Sequence, residues 1–119
     1  TVELVRRDTL EKKVVNLDNL LDLVQEALEN IQENLFLKAK LFQEKNTFRV
    51  DDWSDFKEKI NLGGFVSAHW DSTSETEDEI KKLTKATIRC LPMESTLEKG
   101  SCILTGKPSS RRVIFAKSY

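Results

Sequence analysis

The sequence predicts an α+β fold: a long N-terminal helix leads into a small antiparallel sheet of three to four strands flanked by two short helices. Three observations carry this. From Leu17 to Phe42 apolar residues return every third or fourth position, the period of a helix. Beyond Phe48 the pattern breaks into short pieces, two amphipathic and several β-prone. The last stretch, GSCILTGKPSSRRVIFAKSY from Gly100 to Tyr119, reads as strand, turn and strand around Gly106-Lys107-Pro108.

In chain order, Thr1 to Val15 offers two short β runs, VELVRR and KKVV, about the turn Asp8-Thr9-Leu10-Glu11. Two strands alone are marginal in water, so they are expected to need a sheet from elsewhere. Leu17, Leu20, Leu21, Val24, Ala27, Leu28, Ile31, Leu35, Ala39 and Phe42 then form one apolar stripe, with Asn16 or Asp18 to cap its start. No Gly or Pro interrupts it before Phe48. A helix over 17–46 would be roughly 45 Å long, enough to bridge two bodies. Leu23, Phe36, Leu37 and Leu41 lie off the stripe, which drifts too far for a coiled coil.

Asp51 to Ile60 predicts a short helix with an acidic first turn and a Trp53, Phe56, Ile60 face, ended by Gly63-Gly64. Phe65 to Trp70 is a strand. Thr73 or Ser74 caps a second helix running to about Lys85, and Ala86 to Leu91 is another strand, stopped at Pro92. Cys102 to Thr105 and Arg111 to Ala116 complete the sheet as a terminal hairpin. In the last strand Val113 and Phe115 share one face, and Arg112, Ile114 and Ala116 the other.

Composition sets the bounds. The 119 residues carry a net charge of −1, so no global basicity calls for nucleic acid. Hydrophobic residues make up 39% and charged residues 33%, which fits a globular domain with a highly charged surface. No apolar run reaches bilayer length and no signal-peptide pattern opens the chain. The 2 cysteines are too few for a disulfide framework, so a reducing compartment is expected. The opening without Met, in what reads as mid-strand, suggests a piece of a longer chain. There is no P-loop, dinucleotide-binding turn or nucleophile elbow, and the chain alone is expected to be inactive.

The wording of GGFVSAHWDSTSETEDEIKKLTKATIRCLP (63–92) and of the Gly100–Tyr119 stretch resembles the C-terminal domain of prolyl-tRNA synthetases of the archaeal and eukaryotic type. VELVRRDTLEKKVV, ENIQENLFLKAKLF and NTFRVDDWSDF resemble the segment that joins the anticodon-binding domain to it. The resemblance implies that residues 1–16 are the last strands of an anticodon-binding α/β domain, 17–48 a connecting helix, and 49–119 the C-terminal domain. It also implies a cytoplasmic class II aminoacyl-tRNA synthetase, a homodimer that uses ATP and Mg to attach proline to tRNA(Pro), with no membrane partner. In that setting this region braces the catalytic domain of the same polypeptide, and Tyr119 folds back toward the active site. The alternatives are a free-standing tRNA-binding module and a zinc-dependent interaction domain.

Candidate sites follow. Lys107, Arg111 and Arg112 surround a Pro-Ser-Ser turn where tRNA phosphates or another domain could be met; the ordinary reading is exposed hairpin charge. The family often carries zinc on two cysteine pairs in this domain. Here Cys102 stands where one pair begins, with Thr105 in place of its partner, and Trp70, Asp71 and Thr76 offer no thiol for the other. Zinc is therefore not expected; the weak candidates for a site are Cys102, His69 and Cys90. A lone His69 between Ala68 and Trp70 reads as a structural strand residue, and Trp53 and Trp70 as core or interface anchors.

Overall fold

A computed structural model describes all of residues 1–119. The chain divides into two compact units, Thr1–Glu44 and Lys45–Tyr119.

In the first unit, β1 (Val2–Val5) and β2 (Lys12–Val15) pair antiparallel, Val2 opposite Val15 and Val5 opposite Lys12. Leu10 takes a left-handed conformation in the turn (φ 62°). Asn16 accepts a hydrogen bond from the Asp18 amide and opens one 3-10 turn, Leu17–Asn19, which runs into α1 (Leu20–Lys45). At 1.5 Å per residue, α1 is about 39 Å long. None of its side chains is fully buried. Leu20, Leu23, Val24, Ala27 and Ile31 are half-buried, and Leu4, Val15, Leu23 and Ala27 line a common groove between hairpin and helix. The covered line is therefore rotated from the expected stripe. It takes in Leu23 and leaves Leu21, Leu28 and Leu35 exposed.

The second unit has a true core. A mixed sheet is ordered β3-β4-β8-β5, from β3 (Thr47–Arg49), β4 (Phe65–His69), β5 (Ala86–Cys90) and β8 (Arg112–Lys117). The strands differ from expectation, since Cys102–Thr105 is not among them, and the sheet is not wholly antiparallel. Residues 47–49 form a strand rather than the end of the connecting helix, and it runs parallel to β4. The physical reason lies in α2 (Trp53–Leu62), which carries the chain back so that the two flanking strands share a direction.

Asp52 caps α2 by accepting from the amides of Ser54 and Asp55, and Gly63 closes it at φ 88°, a conformation glycine takes without a Cβ penalty. Thr73 caps α3 (Ser74–Thr84), and Lys85 closes that helix in the left-handed region. Phe56 and Ile60 of α2 and Ile80 of α3 bury against Val66, Ala68, Val113 and Phe115 of the sheet. Phe56 meets Phe115 edge-on at 5.1 Å and stacks on Trp53 at 5.2 Å. Trp70 packs beside this core and donates its indole N–H to Thr73 O.

The terminal hairpin differs from expectation. Cys102–Thr105 is a turn, closed by Gly106 N–H donating to Cys102 O at 3.0 Å. The short ladder around it joins β6 (Gly100–Ser101) to β7 (Pro108–Ser109). β8 lies instead between β4 and β5, with a bulge at Arg89 where the register slips between Ile88 and Cys90. The β-prone letters of Cys102–Thr105 give way to the turn chemistry of Gly106 and Pro108 that follows them.

Candidate functional site

The helices cover one face of the four-stranded sheet. On the other, alternation along β4 and β8 brings His69 and Arg112 side by side as register partners. The segment between β5 and β6 lays Glu98 against them, tied down by its amide donating to Ser110 O at 2.7 Å. Arg112 is 9% exposed. It donates Nε–H to Glu98 Oε2 at 2.7 Å, and Nη1–H to Val50 O and Ser67 O at 2.8 and 3.1 Å. Its Nη2 pairs with Asp51, and Arg49 pairs with the second oxygen of Glu98.

The expectation of exposed hairpin charge therefore fails for Arg112. Strand alternation turns it away from Val113 into a polar layer, where burial requires every donor to find an acceptor. Lys107 and Arg111 remain exposed.

His69 is 3% exposed and has both ring nitrogens engaged, Nε2 with Glu98 Oε2 at 3.0 Å and Nδ1 with Ser109 Oγ at 2.9 Å. A carboxylate only accepts, so Nε2 carries the proton. The single Ser109 hydroxyl proton serves either Nδ1 or Arg111 O, which lies 3.0 Å away. Burial, and then the charge of Arg112, lower the His69 pKa below its ordinary 6.5. A Cβ on Gly100 would run into this imidazole, so the close approach of strand to ring demands glycine there. No buried side-chain nitrogen or oxygen lacks a partner. The layer is closed and satisfied, which suits holding a loop on a sheet rather than receiving a substrate.

A second polar cluster gathers on the loop before α3. Asp71 Oδ1 accepts from the Thr73 amide and hydroxyl at 3.1 and 2.8 Å. Its Oδ2 accepts from the hydroxyls of Thr76 at 2.7 Å and Thr105 at 3.0 Å. Burial alone would raise this carboxyl, but the hydrogen bonds from Thr76, Thr73 and Thr105 outweigh it and hold the pKa down to about 2. Asp71 could have been noticed in the sequence: Asp followed two residues later by Thr is the pattern of a side chain capping its own turn.

The residues named for zinc are not brought together as a site. Cys90 is exposed on β5, Cys102 is buried in its turn, and His69 is committed to Ser109 and Glu98. No group of three or more His, Cys, Asp or Glu is arranged to hold a metal ion. The resemblance places one cysteine pair at Cys102 and Thr105 and the other within His69 to Glu77, a stretch with no thiol, so the residues present do not fit a tetrahedral N/S set.

Tyr119 lies fully exposed, while the Ser118 amide donates to Lys85 O at 2.7 Å and Arg89 donates to Lys117 O at 2.8 Å. The tail is thus anchored up to the residue before the aromatic ring. Beside it, Gly63, Gly64, Phe65, Lys85 and Arg89 line a shallow depression. No helix is long and apolar enough to cross a membrane.

Comparison with known proteins bears on this surface. Over its full length the chain is 51% identical to the proline–tRNA ligase of Porphyromonas gingivalis strain W83, covering 24% of that protein. It is 53% identical to that of Bacteroides fragilis strain YCH46, with 25% covered. It is 52% identical to that of Cytophaga hutchinsonii, with 24% covered. The chain thus spans about a quarter of the length of the curated relatives it matches. These relatives are bacterial, whereas the motif wording pointed to the archaeal and eukaryotic type. Residues 53–119 match the model of the family described as prolyl-tRNA synthetase, C-terminal, and the chain belongs to that family.

Proposed function

We propose that this chain is the C-terminal portion of a proline–tRNA ligase, with no active site of its own, and that its second unit packs against and supports the catalytic domain. The observation that carries the reading is identity near one half, along the whole chain, to enzymes named proline–tRNA ligase. The closed polar layer supports a bracing role. So does Tyr119, a fully exposed aromatic ring on an anchored tail, which is the kind of group that gains by docking.

In the full enzyme, ATP and Mg would serve proline activation elsewhere in the polypeptide, before transfer to tRNA(Pro). A cytoplasmic homodimer of the archaeal and eukaryotic type is the setting proposed, the type resting on the wording of 63–92 and 100–119. The first unit is read as the end of the anticodon-binding domain. Lys107 and Arg111, both exposed, are the cations open to tRNA or interdomain contact.

The test is removal of Ser118 and Tyr119 from the full-length ligase, with proline-dependent ATP–pyrophosphate exchange and tRNA charging as readouts. Loss of a positioning contact predicts a fall on the order of 10- to 100-fold. Unchanged rates would remove the proposed role of the tail.

A further inference from the structure

The loop before α3 and the Cys102–Lys107 turn are distant in sequence and meet through one carboxylate. Asp71 Oδ2 accepts from Thr76 on α3 and from Thr105 in the turn, while Oδ1 holds the helix cap through Thr73. The turn is otherwise closed on itself, by Gly106 N–H to Cys102 O and Cys102 N–H to Lys107 O. It is also tied by Ile103, whose N–H donates to His69 O at 2.9 Å and whose side chain joins the core, with Leu104 packed beside it.

We propose that Asp71, with the hydroxyls of Thr76 and Thr105, is a metal-free cross-link that fastens the 102–107 turn to the start of α3, in the region where the family this chain resembles often carries zinc on two cysteine pairs. The spacings carry the equivalence. Cys102 and Thr105 are separated by two residues, and Asp71 and Thr76 by four, the separations that structural zinc pairs use. The resemblance puts Cys102 and Thr105 at one such pair, and the structure shows Asp71 reaching Thr105 while Thr76 bonds to the same carboxylate oxygen. A carboxylate accepts several hydroxyl protons at once. It can therefore converge donors from two segments as a metal converges thiolates, with no need of thiolates or of metal supply. The cross-link does not depend on the chemistry of any longer polypeptide.

Restoring the thiols tests the place. The Asp71→Cys/Thr76→Cys/Thr105→Cys variant of the chain, reduced and titrated with cobalt(II), is expected to bind one ion per chain and show tetrahedral thiolate absorption. Adding Cys102→Ser should weaken that signal, and the unaltered chain should show none. Hydrogen exchange tests the cross-link itself. Asp71→Ala and Thr105→Val should each speed exchange at the Cys102 and Gly106 amides about fivefold, as expected for one lost hydrogen bond, and together little more than either alone. A folded triple variant that binds no cobalt would overturn the proposal, as would thiolate absorption in the unaltered chain. Exchange unmoved by Asp71→Ala would overturn it too, and that measurement stands even if the triple variant does not fold.

Discussion

The two units are ordered by different means. In Lys45–Tyr119 a continuous core from Phe56 to Phe115 joins both helices to the sheet. In Thr1–Glu44 no residue is fully buried. A charged network holds its hairpin turn. Arg6 pairs with Asp8 at 2.7 Å and donates to Asn30, and Asn34 donates to Asp8 at 2.8 Å. That pairing, chiefly with Arg6, pulls the Asp8 carboxyl well below the usual carboxylate range. Backbone hydrogen bonds and polar side chains can specify a hairpin on a helix. Apolar burial, at ~25 cal/mol per Å², is what makes a unit stable by itself.

The sharpest way to break this contrast is Phe56→Ala. It removes a ring with no exposed surface and should cost about 3–5 kcal/mol, read as a lower urea midpoint for the second unit. Next comes Arg112→Met, which leaves Glu98 and two backbone carbonyls facing a methyl group. Glu98 keeps about a third of its surface in solvent, so the cost is that of unsatisfied polar groups, about 1–3 kcal/mol, and the melting temperature should fall even though no apolar contact is lost.

A smaller effect follows from pH. The unfolded chain takes up a proton on His69 near its ordinary pKa of 6.5, while the folded chain, with its pKa lowered, still refuses it. The second unit is therefore at full strength above that pH and loses stability as pH falls through the depressed folded value. His69→Gln should make the decline in melting temperature shallower between pH 6.5 and the acid limit. The smallest effect belongs to the first unit. Leu28 on α1 is exposed, so Leu28→Ala should shift stability by no more than about 0.5 kcal/mol in this chain. A large loss there would show that the exposed line of α1 is doing packing work the structure does not reveal.

Much of the fold was legible because its signals are local. The 3.6 period announced α1, an acidic first turn announced α2, and Thr73 as a cap announced α3. Alternation placed Val113 and Phe115 on the core face of β8. The misreadings share a cause. Residues 47–49 hold only two β-prone letters, Thr47 and Phe48, and only a partner strand makes them β3. Cys102–Thr105 has strand letters, yet its neighbours Gly106 and Pro108 close it into a turn. Arg112 reads as surface charge because nothing in its vicinity along the chain says that Glu98, Asp51 and Val50 will surround it.

By itself, then, the sequence determined periodicity, caps and breaks, since each depends on residues within a turn or two along the chain. It also carried the family resemblance, which lies in the order of letters. Only the tertiary structure decided which polar groups would be buried together. Arg112 with Glu98 and His69, and Asp71 with Thr105, are pairs whose members lie far apart in sequence. The energy of a polar group turns on its desolvation and its partners, and both are set by what folds over it.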